Sequence, residues 1–218
     1  LIKAVIFDMD GLMFDSESLG LRLIEEVMND YPYEYDKDLN KRIIGMNREL
    51  ARKEYCQIYD EDFPYDEFML KKREKTMKYY EDYDVPKKAG LVELLSYLKK
   101  ENVLVGLATS TYREEAEYML KKAGVLQFFD KTVYGDEVEH SKPHPEIYEQ
   151  ALLKLRVQPS EAIVLEDSEN GLRAAQAAGI ETVFVKDLVT PCSTVLQAVT
   201  HEVKTLHDII SLIQNQEK

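Results

Sequence analysis

The sequence predicts an α/β fold, a doubly wound parallel sheet with a helical domain inserted after its first strand. Three observations carry this. Several short apolar runs lack period-2 alternation, as strands covered on both faces do. Apolar stripes at helical spacing separate those runs, and strand–helix alternation marks a parallel sheet. One interval, Asp10 to Val103, covers 93 residues, far more than a single crossover helix needs.

The elements follow in chain order. Ala4 to Phe7 is the first strand and stops at Asp8. From roughly Asp15 to Val85 the pattern is helical, with helices expected over Leu19–Met28, Arg48–Tyr59 and Tyr65–Tyr80. Nine of the 14 tyrosines lie between Tyr31 and Tyr83, most of them structural at that spacing. Leu91, Leu94, Leu95 and Leu98 then mark a helix, and Val103 to Ala108 a strand ending at Thr109. Ala116, Met119, Leu120 and Ala123 form the next stripe, stopped by Gly124. Thr111 with Glu114 matches a capping box for its start. Lys131 to Tyr134 is a weaker strand candidate. Tyr148, Ala151, Leu152 and Leu155 form a helix after Pro145, Ala162 to Leu165 a strand ending at Glu166, and Ala174 to Ala178 part of a helix. Thr182 to Val185 is a strand, Leu206, Ile209, Ile210 and Ile213 line a last helix, and Gln214 to Lys218 reads as a polar tail. The expected domains are a core of residues 1–14 and 86–218 and an insert of residues 15–85.

Composition narrows the function. The 218 residues carry a formal charge of -13, spread over core and insert alike. Nucleic acids and anionic membranes need a basic face, so neither is an expected partner. No apolar run approaches a membrane span, and Ala4 to Phe7 is too short for a secretory leader. Cys56 and Cys192 form no CxxC pair and read as free packing thiols, which suits a cytoplasmic location. A monomer is expected.

Polar residues gather at the carboxyl ends of the strands, where open α/β sheets bind ligands. Asp8, Met9 and Asp10 follow the first strand, with Gly11 permitting a tight turn. Thr109 and Ser110 follow the second, Glu166 and Asp167 a later one, and Lys142 lies in a loop, Ser141-Lys142-Pro143. Crowded carboxylates repel one another, and a divalent cation relieves that. Asp8 and Asp167 offer hard oxygens to Mg²⁺. Thr109 and Ser110 offer donors, and Lys142 a point charge, for phosphate oxygens. His140 and His144 flank Lys142 and read as surface-loop residues rather than metal ligands. Lys87 and Lys88, and the stretch Tyr59 to Asp62, read as solvated.

These segments resemble, in order, four motifs of the haloacid dehalogenase superfamily: Val5 to Gly11, Leu107 to Ser110, Ser141 to Pro143, and Val164 to Ser168. The insert is similar to the helical cap of its phosphoglycolate phosphatase and β-phosphoglucomutase-like group. The resemblance implies that Asp8 is a nucleophile forming an aspartyl-phosphate and that Asp10 is the acid, then the base. It implies Mg²⁺ held by Asp8, the backbone carbonyl of Asp10 and Asp167, with Glu166 in support. It implies Thr109, Ser110 and Lys142 on the phosphate. The second aspartate speaks for phosphoryl transfer, since the family's dehalogenases lack it. The expected activity is Mg²⁺-dependent hydrolysis of a small phosphomonoester, a phosphorylated metabolite, beneath a cap hinged near Asp15, Ser16 and Glu17. Arg48 falls where the mutase carries a phosphate-binding arginine, so it is the specificity candidate in the cap. Gly20 replaces a mutase histidine, and the mutase lysine falls near Glu74 or Lys75, so a sugar phosphomutase is the second reading. A non-enzymatic phospho-acceptor module is the third, and the long insert speaks against it.

Overall fold

The structure, a computed structural model, describes residues 2–44, 46 and 48–216. The elements run β1 (Ala4–Phe7), α1 (Ser16–Met28), α2 (Lys37–Arg42), α3 (Arg48–Ile58), α4 (Tyr65–Asp82), α5 (Leu91–Lys100), β2 (Leu104–Ala108) and α6 (Arg113–Lys122). Then come β3 (Lys131–Val133), α7 (Glu146–Leu155), β4 (Ala162–Glu166), α8 (Glu169–Ala177), β5 (Glu181–Val185), α9 (Ser193–Leu196), β6 (His201–Val203) and α10 (Leu206–Gln216). The chain divides into two compact units, Leu1–Asp15 with Val85–Lys218, and Ser16–Asp84.

The first unit is a six-stranded sheet in the order β3-β2-β1-β4-β5-β6. Every pairing is parallel. All four residues of β1 are fully buried, which explains its unbroken apolar run. Ala4 and Ile6, with Ala162 and Val164 of β4, pack against Tyr148, Ala151 and Leu152 of α7 and Ala174 and Ala175 of α8. Val5 and Phe7 alternate to the opposite face. The α5 helix packs on β2 and on α10. Winding reverses between β1 and β4, so the crevice of a doubly wound sheet opens at the end of β1, where Asp8 follows Phe7.

Some local expectations give way. The sheet has a sixth strand, β6, which the sequence reading missed because His201, Glu202 and Val203 form only a short, half-exposed edge. The stretch Gln214 to Gln216 continues α10 instead of forming a tail, and Glu217 and Lys218 lie outside the described residues. Thr111 does not cap α6: Tyr112 holds the N-cap position without a side-chain bond. Thr111 turns to Asp10 instead. Cys192 is exposed rather than packed, while Cys56 sits half-buried in the helical unit. Lys88 is not a solvated residue, since its ammonium contacts Asp187 at 2.5 Å with a quarter of the side chain exposed. The linkers flanking the insert pair with each other: Asp15 N–H donates to Pro86 O at 2.8 Å and Lys88 N–H to Met13 O at 2.9 Å.

The second unit is helical and is held by aromatic rings. Tyr55 is fully buried among Phe63, Tyr65 and Phe68. Its ring stacks on Phe63 at 5.1 Å, and Tyr59 stacks on the same phenylalanine. Tyr59 is therefore half-buried rather than solvated, and its hydroxyl donates to Glu34 O at 3.0 Å. The Tyr55 hydroxyl donates to Asn40, the buried amide of α2. This short helix has no apolar stripe, but Asp36 caps it, its Oδ1 accepting from Asp38 N and Leu39 N at 2.9 and 2.8 Å. Among the described residues no helix is long and apolar enough to cross a membrane.

Candidate active site

The crevice at the ends of β1, β2 and β4 holds a buried ionic cluster. Lys142 enters from the loop before α7 and is 7% exposed. Its Nζ donates to Asp8 Oδ1 at 2.5 Å, to Glu166 Oε1 at 2.7 Å and to Ala108 O at 3.1 Å. The Lys142–Pro143 peptide is cis. Three acceptors use the three ammonium hydrogens, so the lysine is pinned between β1, β2 and β4. Negative neighbours hold its proton well above the usual lysine range, outweighing desolvation.

Glu166 is fully buried and fully engaged. Its Oε1 also accepts from the Tyr148 hydroxyl at 2.9 Å. Its Oε2 accepts from Asp167 N, Ser168 N and the Ser168 hydroxyl, all at 3.0 Å. A Cβ on Gly171 would stand 1.6 Å from Glu166 Oε1, so only glycine lets α8 approach this carboxylate. The cap of α8 is Ser168, whose Oγ accepts from Gly171 N at 3.1 Å. Glu166 thus serves both ends of this turn, its Oε2 tied to the start of α8 and its Oε1 to Lys142 in the crevice.

Asp8 is pushed up to about 8 by burial first and by the negative charges of Glu166 and Asp10, with Lys142 opposing. Asp10 follows two residues on, half-buried, and its Oδ2 accepts from the Thr111 hydroxyl at 2.6 Å. Gly11 closes this turn at φ +79°, the left-handed region. A Cβ there would meet Asp167 Oδ2 at 2.2 Å and Asp187 Oδ2 at 3.1 Å. Thr109 is buried, and its Oγ1 accepts from Thr111 N at 3.1 Å, leaving its own hydroxyl hydrogen uncommitted by that bond. Ser110 is exposed beside it, its carbonyl 2.0 Å from where a Gly135 Cβ would stand.

The chemistry of this donor set fits a hard divalent cation. Asp8, Glu166 and Asp167 each present an oxygen, and the three lie within 4.8 Å of one another. Asp187 Oδ2 is buried nearby with no hydrogen-bond partner. Lys142 offsets part of this crowded negative charge, and a cation would offset more.

Sequence reasoning missed Thr111, Tyr148, Lys88 and Asp187. Thr111 looked like a helix cap, and Tyr148 is part of an ordinary helical stripe. Lys88 and Asp187 carry no local pattern, because 99 residues separate the two ends of their contact. His140 and His144, read as plain loop residues, form with Glu146 a second group of metal-ligating side chains.

In the helical unit, Arg48 Nη2 donates to Asp66 Oδ1 at 2.9 Å, an exposed ion pair. Gly45 and Asn47, just before it, lie outside the described residues. At Gly20 a Cβ would meet the Lys72 Nζ at 3.7 Å. Lys72, not Glu74 or Lys75, is thus the α4 side chain beside Gly20.

Known proteins match this chain in sequence and in fold. The sequence model of the haloacid dehalogenase-like hydrolases matches residues 5–185. The chain belongs to this hydrolase family. A phosphorylated carbohydrates phosphatase of Thermotoga maritima is 33% identical over 183 residues, 84% of each chain. A β-phosphoglucomutase of Bacillus subtilis is 28% identical over 192 residues, 84% of this chain and 83% of that one. The crystal structure of a candidate β-phosphoglucomutase from Thermotoga maritima superposes with a TM-score of 0.80 at 30% identity, covering 98% of this hydrolase and 99% of that chain.

Proposed function

We propose that this hydrolase removes the phosphate of a small phosphomonoester, a phosphorylated carbohydrate foremost, with Asp8 as nucleophile and Asp10 as acid and base. The observation that carries the reading is the division of labour between the two aspartates. Asp8 is buried against Lys142, while Asp10 is half-buried and oriented by Thr111. That contrast supports one as a fixed oxygen nucleophile and the other as a proton carrier.

An Asp8 carboxylate oxygen attacks phosphorus, forming a P–O bond as the ester P–O bond breaks. The leaving alkoxide takes the Asp10 proton and departs as the alcohol. Asp10, now ionised, takes a proton from water, whose oxygen attacks phosphorus and releases inorganic phosphate and free Asp8. Thr109 and Ser110 hold the phosphate oxygens, and Lys142 joins them by turning one ammonium hydrogen from a present acceptor to the phosphate. Asp8, the Asp10 carbonyl and Asp167, with Glu166 in support, would hold Mg²⁺, which when bound neutralises phosphate charge. The helical unit is the cap in this reading, and residues 15–85 its extent. Two free thiols and a net charge of -13 support a cytoplasmic protein acting on a small metabolite, and a monomer is part of this reading.

A phosphate-release screen over sugar phosphates with Mg²⁺ tests this, alongside Asp8→Asn. Wild type should release phosphate and the variant should lose all turnover while its fold persists. Retained hydrolysis by purified Asp8→Asn sinks the nucleophile.

A second reading, a sugar phosphomutase, rests on the likeness to the β-phosphoglucomutase of Bacillus subtilis. Gly20 still withholds the imidazole. Incubation with β-glucose 1-phosphate separates the two: free phosphate supports the hydrolase, glucose 6-phosphate the mutase.

A further inference from the structure

We infer a second metal site, for a zinc-class transition ion, at His140, His144 and Glu146 on the outer side of the Lys142 loop. The three side chains present ligand atoms that all lie within 4.8 Å of one another. His140 Nδ1 stands 2.9 Å from Glu146 Oε2, and His144 Nδ1 4.0 Å from the same oxygen. Bonds of about 2.0–2.2 Å to a tetrahedral ion put ligand atoms about 3.4 Å apart. The two separations straddle that value, so small rotations bring the set onto an ion.

The carboxylate is already oriented for it. Glu146 Oε1 accepts from Glu139 N–H at 2.8 Å and from the Gln150 amide at 3.4 Å, which turns Oε2 toward both imidazoles. His140 N–H also donates to Oε2 at 2.9 Å, tying the residue's backbone to the same oxygen. The imidazole ring centroids lie 4.5 Å apart, the planes tilted by 30°. The bond an ion would displace at His144 is the long one, in which Glu146 N–H donates to Nδ1 at 3.3 Å.

The donor set fixes the class of ion. Two imidazoles and one carboxylate suit Zn²⁺, Ni²⁺ or Cu²⁺, whereas the crevice offers oxygen alone and suits Mg²⁺. Both imidazoles are about half exposed or more, so water completes the coordination. Lys142 lies between the two histidines in sequence and points into the crevice while they point out. An ion here therefore clamps residues 140–146 from outside without touching the ammonium.

The test is a calorimetric titration of tag-free protein with ZnCl₂ in excess Mg²⁺. One Zn²⁺ should bind wild type, and His140→Ala/His144→Ala should weaken it by more than about tenfold. Asp167→Asn, which damages the crevice set, should leave zinc binding intact. Hydrogen exchange of residues 139–146 should slow with Zn²⁺ in wild type and not in the double variant. The site is refuted if wild type shows no saturable zinc binding, if the double variant binds as wild type does, or if Asp167→Asn abolishes binding. A thiolate-to-metal absorption band on Co²⁺ loading would equally refute it, by moving the ion to a cysteine.

Discussion

At the residue scale, Thr111 is the side chain whose role changed most. Its hydroxyl donates to Asp10 Oδ2 at 2.6 Å, a charge-assisted bond that fixes which oxygen faces the crevice. Thr111→Val keeps the shape and removes the donor. It should lower kcat about tenfold with little change in KM, a fraction of the roughly 10²–10⁴ that general acid–base catalysis supplies. Thr111→Ser should restore most of the rate, and equal losses in both variants would reject the role. Asp8 gives a pH prediction. Burial raises its folded value to about 8 from 3.8, so the folded, metal-free protein binds more protons there than the unfolded chain between those values. Its contribution to stability is present at low pH and falls as pH rises from about 4 to 8. Mg²⁺ favours the ionised form, so binding at pH 7 should release close to one proton. Calorimetry in buffers of different ionisation enthalpy reads this, and no buffer dependence would refute it.

At the element scale, the two linkers and the end of β5 are joined by one ion pair. Lys88 contacts Asp187 at 2.5 Å, with the aspartate side chain 9% exposed, and stands 3.7 Å from Asp15. Lys88→Met strands a nearly buried carboxylate, which should cost about 1–3 kcal/mol of stability. Thermal unfolding should show Tm lowered by several degrees, and adding Asp187→Asn should recover part of it. Unchanged Tm in Lys88→Met would remove the pair from any structural role. This contact also shows where sequence reading stops. The strands β1, β2, β4 and β5 were legible because burial on both faces leaves an unbroken apolar run. Asp8, Lys142, Glu166 and Asp167 were legible because short local motifs carry them. The edge strand β6 and the capped helix α2 bury too little to write a pattern. Thr111 was misread because a residue at a helix start has two uses for its hydroxyl, and spacing favours the cap. Lys88 with Asp187, and Lys72 with Gly20, are meetings that only tertiary packing makes.

At the scale of the whole molecule, a chain of charge -13 is proposed to bind an anion. The resolution is one of range. In the proposed reading Lys142 and a bound cation offset the crevice carboxylates at close range, while the acidic residues spread over both units set the field farther out. At about 0.01 M ionic strength the Debye length is about 30 Å, so an approaching phosphate ester feels the net negative charge. At 0.15 M it shrinks to about 8 Å, and only the crevice acts at close quarters. Raising salt between these limits should therefore raise kcat/KM for a dianionic ester several-fold, opposite to an enzyme that steers its substrate with a basic face. The rise should come through KM, since kcat reports groups already in contact. A panel of esters sharpens the measurement: a monoanionic substrate should respond less than a dianion of similar size. A fall in kcat/KM with salt would mean that the local field of the crevice outreaches the charge of the whole chain.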